Sequence, residues 1–252
     1  MQDAELLRFY ESAYSQDAEA SVRHSRWRAL SAVGKAAHVI ELCTRADLRP
    51  DSVLDVGCGD GALLGELHNR GFGVRRAGVE IAEQAVASAR ERDGVDSVDR
   101  FDGRTLPFPD EAFDLGILSH VLEHVREPTV LLTEVARVCR AVLVEVPLEA
   151  NLSAERSAKR LQAVAVGHLQ RFTRGDMRAT VSASGLRIVA EMEDPLPLAV
   201  HRFHSATARS RAVATVRWAL RAGMHRSVPP LARRVFTLHF ACLCVHRDIR
   251  PH

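Results

Sequence analysis

The apolar residues of this chain first recur every three to four positions, and then the pattern changes. Residues 3–14 and roughly 26–47 follow the helical period, the second with Leu30, Val33, Ala37, Ile40 and Cys43 at helical spacing before Pro50 forces an end. From residue 52 short apolar runs alternate with amphipathic stretches. Ser52–Val56, Val74–Ile81, Ser97–Phe101, Phe113–Leu118 and Ala141–Val146 read as strands, with helices near Gly61–Arg70, Glu83–Glu91 and Pro128–Cys139 between them. Such alternation predicts an α/β protein with a mostly parallel sheet covered by helices.

The later part is less regular. Two prolines in Leu106-Pro107-Phe108-Pro109 predict a loop that feeds the fourth strand. Gly175–Ser184 suits a helix, and Leu186–Glu191 and Thr237–His246 read as closing strands that would form an antiparallel edge. Between them Ser205–Gly223 predicts a helical insertion, with Val213, Val216 and Leu220 on one stripe that Met224 extends, broken at Pro229-Pro230.

Composition narrows the picture. At 252 residues and 46% hydrophobic content the chain can build a full core, and one domain with terminal additions is expected. A net charge of +2 is too small to mark a nucleic-acid binder, and the acid-free stretch between Asp194 and Asp248, with nine arginines from Arg202 to Arg247, is poor in aromatics for base stacking. Its plain reading is the exposed face of an amphipathic insertion; its sharper one is a positive lid over a polar or anionic acceptor. The five cysteines form no Cys-x-x-Cys pair and read as buried fillers in a reducing compartment. With no leader-like pattern and no apolar run near the roughly 20 residues that span a bilayer, a cytoplasmic protein without a membrane span is expected.

The chemistry begins at Val53-Leu54-Asp55-Val56-Gly57-Cys58-Gly59-Asp60-Gly61, a strand, a glycine turn and a helix start. Glycines let the backbone approach a bound molecule, and the helix start offers N–H groups and a positive dipole end to a carboxylate. Gly57-x-Gly59-x-x-Ala62 also satisfies the relaxed dinucleotide pattern, which keeps a dehydrogenase in view. Asp55, two residues before the first glycine, suits an amino group that a dinucleotide lacks. Glu80 ends the second strand, where a carboxylate accepts both hydroxyls of a ribose. Asp102, after the third strand, suits an adenine amino group.

Together with Gly78-Val79-Glu80-Ile81, Phe101-Asp102-Gly103, Phe113-Asp114-Leu115 and Ser119-His120-Val121-Leu122-Glu123-His124-Val125, the glycine run resembles the class I S-adenosylmethionine-dependent methyltransferases, particularly their ubiquinone-biosynthesis-like branch. The resemblance covers about residues 50–148. It implies a Rossmann-like seven-stranded sheet and S-adenosyl-L-methionine as cofactor, held by Asp55, Gly57, Cys58 through its backbone, Gly59, Glu80, Ile81, Asp102, Gly103 and Ser119. Combined with the pattern of elements along the chain, a single domain is expected with a helical cover over residues 1–50, a cofactor-binding half over 51–148, and a substrate-side half over 149–252 with the insertion at about 200–235.

Methyl transfer to a hydroxyl needs a base, and histidines are at hand. If the segment after the fourth strand starts a helical turn, His120, Glu123 and His124 share one face and could act as a base or gather a divalent cation such as magnesium. Some relatives use the matching acid-histidine pair for a metal, with an acid where His120 stands here. His168, in Gly167-His168-Leu169-Gln170-Arg171-Phe172, is the other candidate base, since in similar methyltransferases this segment lies beside the substrate entrance; Arg171 or Glu149 would orient the acceptor. Sugar O-methyltransferases share this size and segment. A saccharide or other small-molecule acceptor is therefore placed first, a quinone, polyketide or lipid second, and an inert cofactor-binding regulator third. A homodimer is compatible with all three.

Overall fold

The computed structural model describes residues 18–247, so the helix expected at 3–14 lies outside the described residues. Helix α1 runs Ala18–Arg45, earlier than its apolar period suggested: Val22, Arg23 and His24 near its start are exposed and add nothing to an apolar stripe. Strand β1 (Ser52–Val56), helix α2 (Ala62–Asn69), β2 (Arg75–Glu80), α3 (Glu83–Arg90) and β3 (Ser97–Arg100) follow, then β4 (Phe113–Ser119), α4 (Pro128–Val138) and β5 (Cys139–Pro147). The second half holds α5 (Ser157–Ala165), α6 (Arg174–Ala183), β6 (Leu186–Asp194), α7 (Leu198–Arg202), α8 (Ala208–Ser227), α9 (Pro229–Val235) and β7 (His239–His246).

The seven strands lie in the order β3-β2-β1-β4-β5-β7-β6. The chain order reverses between β1 and β4, and loops leaving the carboxyl ends of strands beside such a switch frame a crevice for ligands. β7 runs antiparallel to both β5 and β6, so the expected antiparallel edge is the β7–β6 pair, with β6 outermost.

Strand residues alternate between two cores. Leu54, Val56, Val79, Val142 and Val144 face one core, which α4 and α6 close with Leu132, Val135, Met177 and Val181. Val53, Leu115, Ile117, Leu143 and Leu243 face the other, closed by α1 and α2 through Ala36, Val39, Leu42, Leu64 and Leu67. Both faces of the central strands are buried, which is why these strands read as continuous apolar runs. All five cysteines are buried and unpaired, as fillers would be.

Three local features differ from expectation. Helices α5 and α7 were not foreseen: each is short, and in α5 the apolar Leu161 and Val164 are exposed. Pro229 starts α9 instead of simply ending structure, because a first-turn proline lacks only an N–H that has no partner there anyway. In α8 the stripe Val213, Val216 and Leu220 faces outward and no residue is buried. Its inner side carries Trp218, whose Nε1 donates to Leu196 O at 2.9 Å, and Arg221, which stacks on Phe236 at 5.5 Å.

The turn after β1 depends on a close approach at Gly78, where an added Cβ would lie 2.6 Å from Cys58 Sγ. Gly78→Ala is expected to destabilise the fold by about 1–3 kcal/mol through overpacking. Urea denaturation checks this, and Cys58→Ala in the same chain should recover part of the loss, since it removes the colliding sulfur.

Candidate functional site

A cavity of about 900 Å³ opens at the carboxyl ends of β1, β2, β4 and β5. One end is made of backbone. Gly57 N and Cys58 N both donate to Val79 O, at 2.8 and 3.1 Å, which ties the glycine turn to β2. Gly57 has φ 74°, and a Cβ there would meet Val121 Cγ2 at 2.9 Å, so only glycine fits. The Cys58 side chain is buried beneath the turn, against Gly78 of β2.

Carboxylates surround this end. Glu80, buried, accepts from Gly59 N at 2.9 Å through Oε2 and from Ile81 N and Ala82 N at 2.7 and 3.1 Å through Oε1. These contacts lock its orientation and leave a lone pair on Oε2 for a hydroxyl donor. Asp55 is 4% exposed, and burial, assisted by the Glu80 charge, pushes its carboxyl up to about 7 despite the pull of the Lys35 ammonium. Asp102 is exposed, and Oδ1 accepts from Thr105 N at 2.7 Å and Arg104 N at 2.8 Å, which hold its carboxyl below the ordinary value. Ile81 and Gly103 line the wall between Glu80 and Asp102. Asp60, also buried, receives Arg28 Nε at 2.8 Å.

The other end is a histidine and carboxylate cluster. β4 stops at Ser119, and His120 turns the chain with φ 62° while its N–H donates to Glu145 O at 2.9 Å. A single 3-10 turn, Leu122–His124, follows. His120, Glu123 and His124 therefore do not share one helical face; they divide between two groups joined at Glu123. In the first, His120 Nδ1 lies 3.0 Å from Glu123 Oε1, and His120 Nε2 lies 3.0 Å from His239 Nδ1. In the second, His124 Nδ1 donates to Gly167 O at 3.1 Å, and the His124 ring meets His168 edge-on at 4.8 Å. Glu123 is 1% exposed and its Oε2 has no hydrogen-bond partner.

His120, His124 and His239 line the cavity, whereas His168 stands behind His124 with Nδ1 on Glu149 Oε2 at 2.7 Å. That carboxylate raises the His168 pKa against the opposing effect of burial. Burial lowers His124 instead, so it is neutral near pH 7. Its Nδ1 proton is committed to a carbonyl, which places the basic lone pair on Nε2. Ser119 also lines the cavity, but its Oγ donates to Glu145 Oε2 at 3.0 Å. Arg171 reaches Glu149 O and the Glu155 carboxylate.

Sequence reasoning missed several residues here. Glu145 is 1% exposed at the end of β5 and receives Ser119 and His38; a lone carboxylate in the apolar run Ala141–Val146 was its signal. His239, Lys35, Trp27, Leu196, Pro197 and Val200 also line the cavity, and no local pattern marks them.

The matched stretches agree with this geometry. Residues 54–141 match the family model described as a methyltransferase domain. Over 111 residues the chain is 34% identical to the phosphatidylethanolamine N-methyltransferase of Cereibacter sphaeroides, covering 42% of this chain and 50% of that protein. Over 101 residues it is 31% identical to the ubiquinone biosynthesis O-methyltransferase of Neisseria meningitidis serogroup C, covering 38% of this chain and 42% of that one. The chain thus spans about half the length of the curated relatives it matches. A SAM-dependent methyltransferase structure from Thermotoga maritima shares the fold with a TM-score of 0.59 at 16% identity, over 96% of this chain and all of that one. The matched stretch holds the glycine turn and the motifs from Gly78 to Val125, and over that length the chain is similar to the class I S-adenosylmethionine-dependent methyltransferases. Among the described residues no helix is long and apolar enough to cross a membrane.

Proposed function

We propose that the chain transfers the methyl group of S-adenosylmethionine to a hydroxyl of a small acceptor, a saccharide or saccharide precursor. One observation carries the reading: a single cavity joins the glycine turn and its carboxylates to histidines prepared to accept a proton. In this reading the turn at Gly57 and Gly59 receives the amino-acid part of the cofactor, and Asp55 pairs with its ammonium group. Glu80 accepts the ribose hydroxyls, and Ile81, Asp102 and Gly103 flank the adenine. Methyl transfer from a sulfonium is an in-line displacement, so alignment is the main task of the protein, and such alignment supplies roughly 7–11 kcal/mol.

His124 is the base best prepared, being neutral and carrying its lone pair on Nε2. The acceptor would lie against Trp27, Leu196, Pro197 and Val200. A pyranose has an apolar face for such a wall and a hydroxyl edge for the histidines. The same apolar wall favours a second reading, a quinone, polyketide or lipid acceptor, in line with the O-methyltransferase among the relatives. Radiolabelled methyl transfer to a panel of saccharides and phenols separates the two; no product from either class would defeat both.

Two outcomes test the roles. His124→Ala is expected to lower kcat about a hundredfold or more, as loss of a general base does, with S-adenosylhomocysteine affinity unchanged by calorimetry. Asp55 must give up its proton to pair with an ammonium group. S-adenosylhomocysteine affinity should therefore fall as pH drops below about 7, by at most about tenfold per unit. Titration calorimetry across that range checks the slope, and Asp55→Asn should flatten it.

A further inference from the structure

Three ligand-type atoms converge at one end of the cavity, from the turn after β4, from β5 and from β7. His120 Nε2 lies 3.0 Å from His239 Nδ1, and Glu145 Oε1 lies 3.9 Å from the first and 3.8 Å from the second. A point equidistant from three atoms so spaced is about 2.1 Å from each, the length of a zinc–imidazole or zinc–carboxylate bond. All three side chains line the cavity, so a fourth coordination position would face it.

The surroundings are those of a built site. Glu123, itself 1% exposed, accepts from His120 Nδ1, which leaves the lone pair of His120 on Nε2. Ser119 Oγ and His38 Nδ1 fix the Glu145 carboxylate at 3.0 and 3.1 Å. His120 is held at φ 62°, a left-handed conformation that non-glycine residues seldom adopt, and its N–H donates to Glu145 O. That conformation aims the ring at its two partners.

We propose that His120, Glu145 and His239 bind one borderline divalent transition-metal ion of the zinc type, with its open position toward the acceptor. Two imidazoles and one carboxylate suit such an ion, whereas magnesium prefers a shell of oxygens. The ion's use rests on the methyl-transfer reading above, although its binding does not. An acceptor hydroxyl on the open position would lose its proton to His124 while its oxygen forms the bond to the methyl group; the C–S bond breaks, its electron pair returns to sulfur, and S-adenosylhomocysteine departs. Glu123, His124 and His168 form another group of donors within 4.8 Å of one another, and the test separates the two.

The full-length untagged chain, stripped with a chelator, is titrated with Zn2+ and separately with Mg2+ by calorimetry. One Zn2+ per chain and no Mg2+ uptake are expected, and Co2+ should give the visible absorption of a four-coordinate site. His239→Ala should weaken Zn2+ by more than about a hundredfold, His239→Cys should retain it through the thiolate, and His168→Ala should change it by less than about threefold. Absence of stoichiometric Zn2+ in the wild-type chain, or loss with His168→Ala but not with His239→Ala, would overturn the assignment. S-adenosylhomocysteine binding by the stripped chain is measured in parallel, so a failed metal site and a failed cofactor site give different results.

Discussion

A carboxylate buried at the end of a central strand governs the architecture around it. Glu145 is 1% exposed, and an ionised group so placed is costly unless its oxygens are fully engaged. Ser119 at the end of β4, His38 on α1 and His239 at the head of β7 are brought to it, and His38 in turn reaches Asp194 at the end of β6 at 3.2 Å. Four elements far apart in the chain are thereby fixed relative to β5. Burial would pull His38 down, but its two carboxylate partners raise it to about 10, so it stays protonated across the neutral range. Glu145 is held well below the usual carboxylate range: burial opposes this, and the histidines around it outweigh burial.

The two ends of the cavity are built on different principles. Around the glycine turn the shape is set by backbone, since Gly57, Cys58 and Gly59 are held by Val79 O and Glu80, and the side chains there are small or absent. Around Glu145 and Glu123 the shape is set by side chains that hold one another through charge and hydrogen bonds. A backbone cradle suits a cofactor whose form does not change. A side-chain cluster can be altered residue by residue, which is how one fold serves many acceptors.

Legibility in the sequence follows the same division. The glycine turn, Glu80, Asp102 and the Ser119–Val125 segment could be found because each lies within a few residues of a strand end, and strands buried on both faces announce themselves as apolar runs. The helix α6 was equally clear, with Thr173 and Asp176 forming the capping box that starts it. The histidine segment was found but its geometry was not. A helical turn after β4 would have put the three side chains on one face, and instead His120 takes a left-handed conformation before a single 3-10 turn, which sends His120 and His124 to different partners. Local spacing carries no information about that bend, whose N–H is held by the carbonyl of Glu145 on the neighbouring strand.

The sequence by itself determined the class of fold, the glycine turn and the acids at the neighbouring strand ends, since all of these rest on periodicity and on residues placed at or beside the ends of strands. Only the tertiary structure decided the acceptor end. His38 and Glu145 are 107 positions apart, and His120 and His239 are 119 apart, so no pattern along the chain relates them. What joins them is the placing of β7 between β5 and β6 and the need of buried carboxylates for partners.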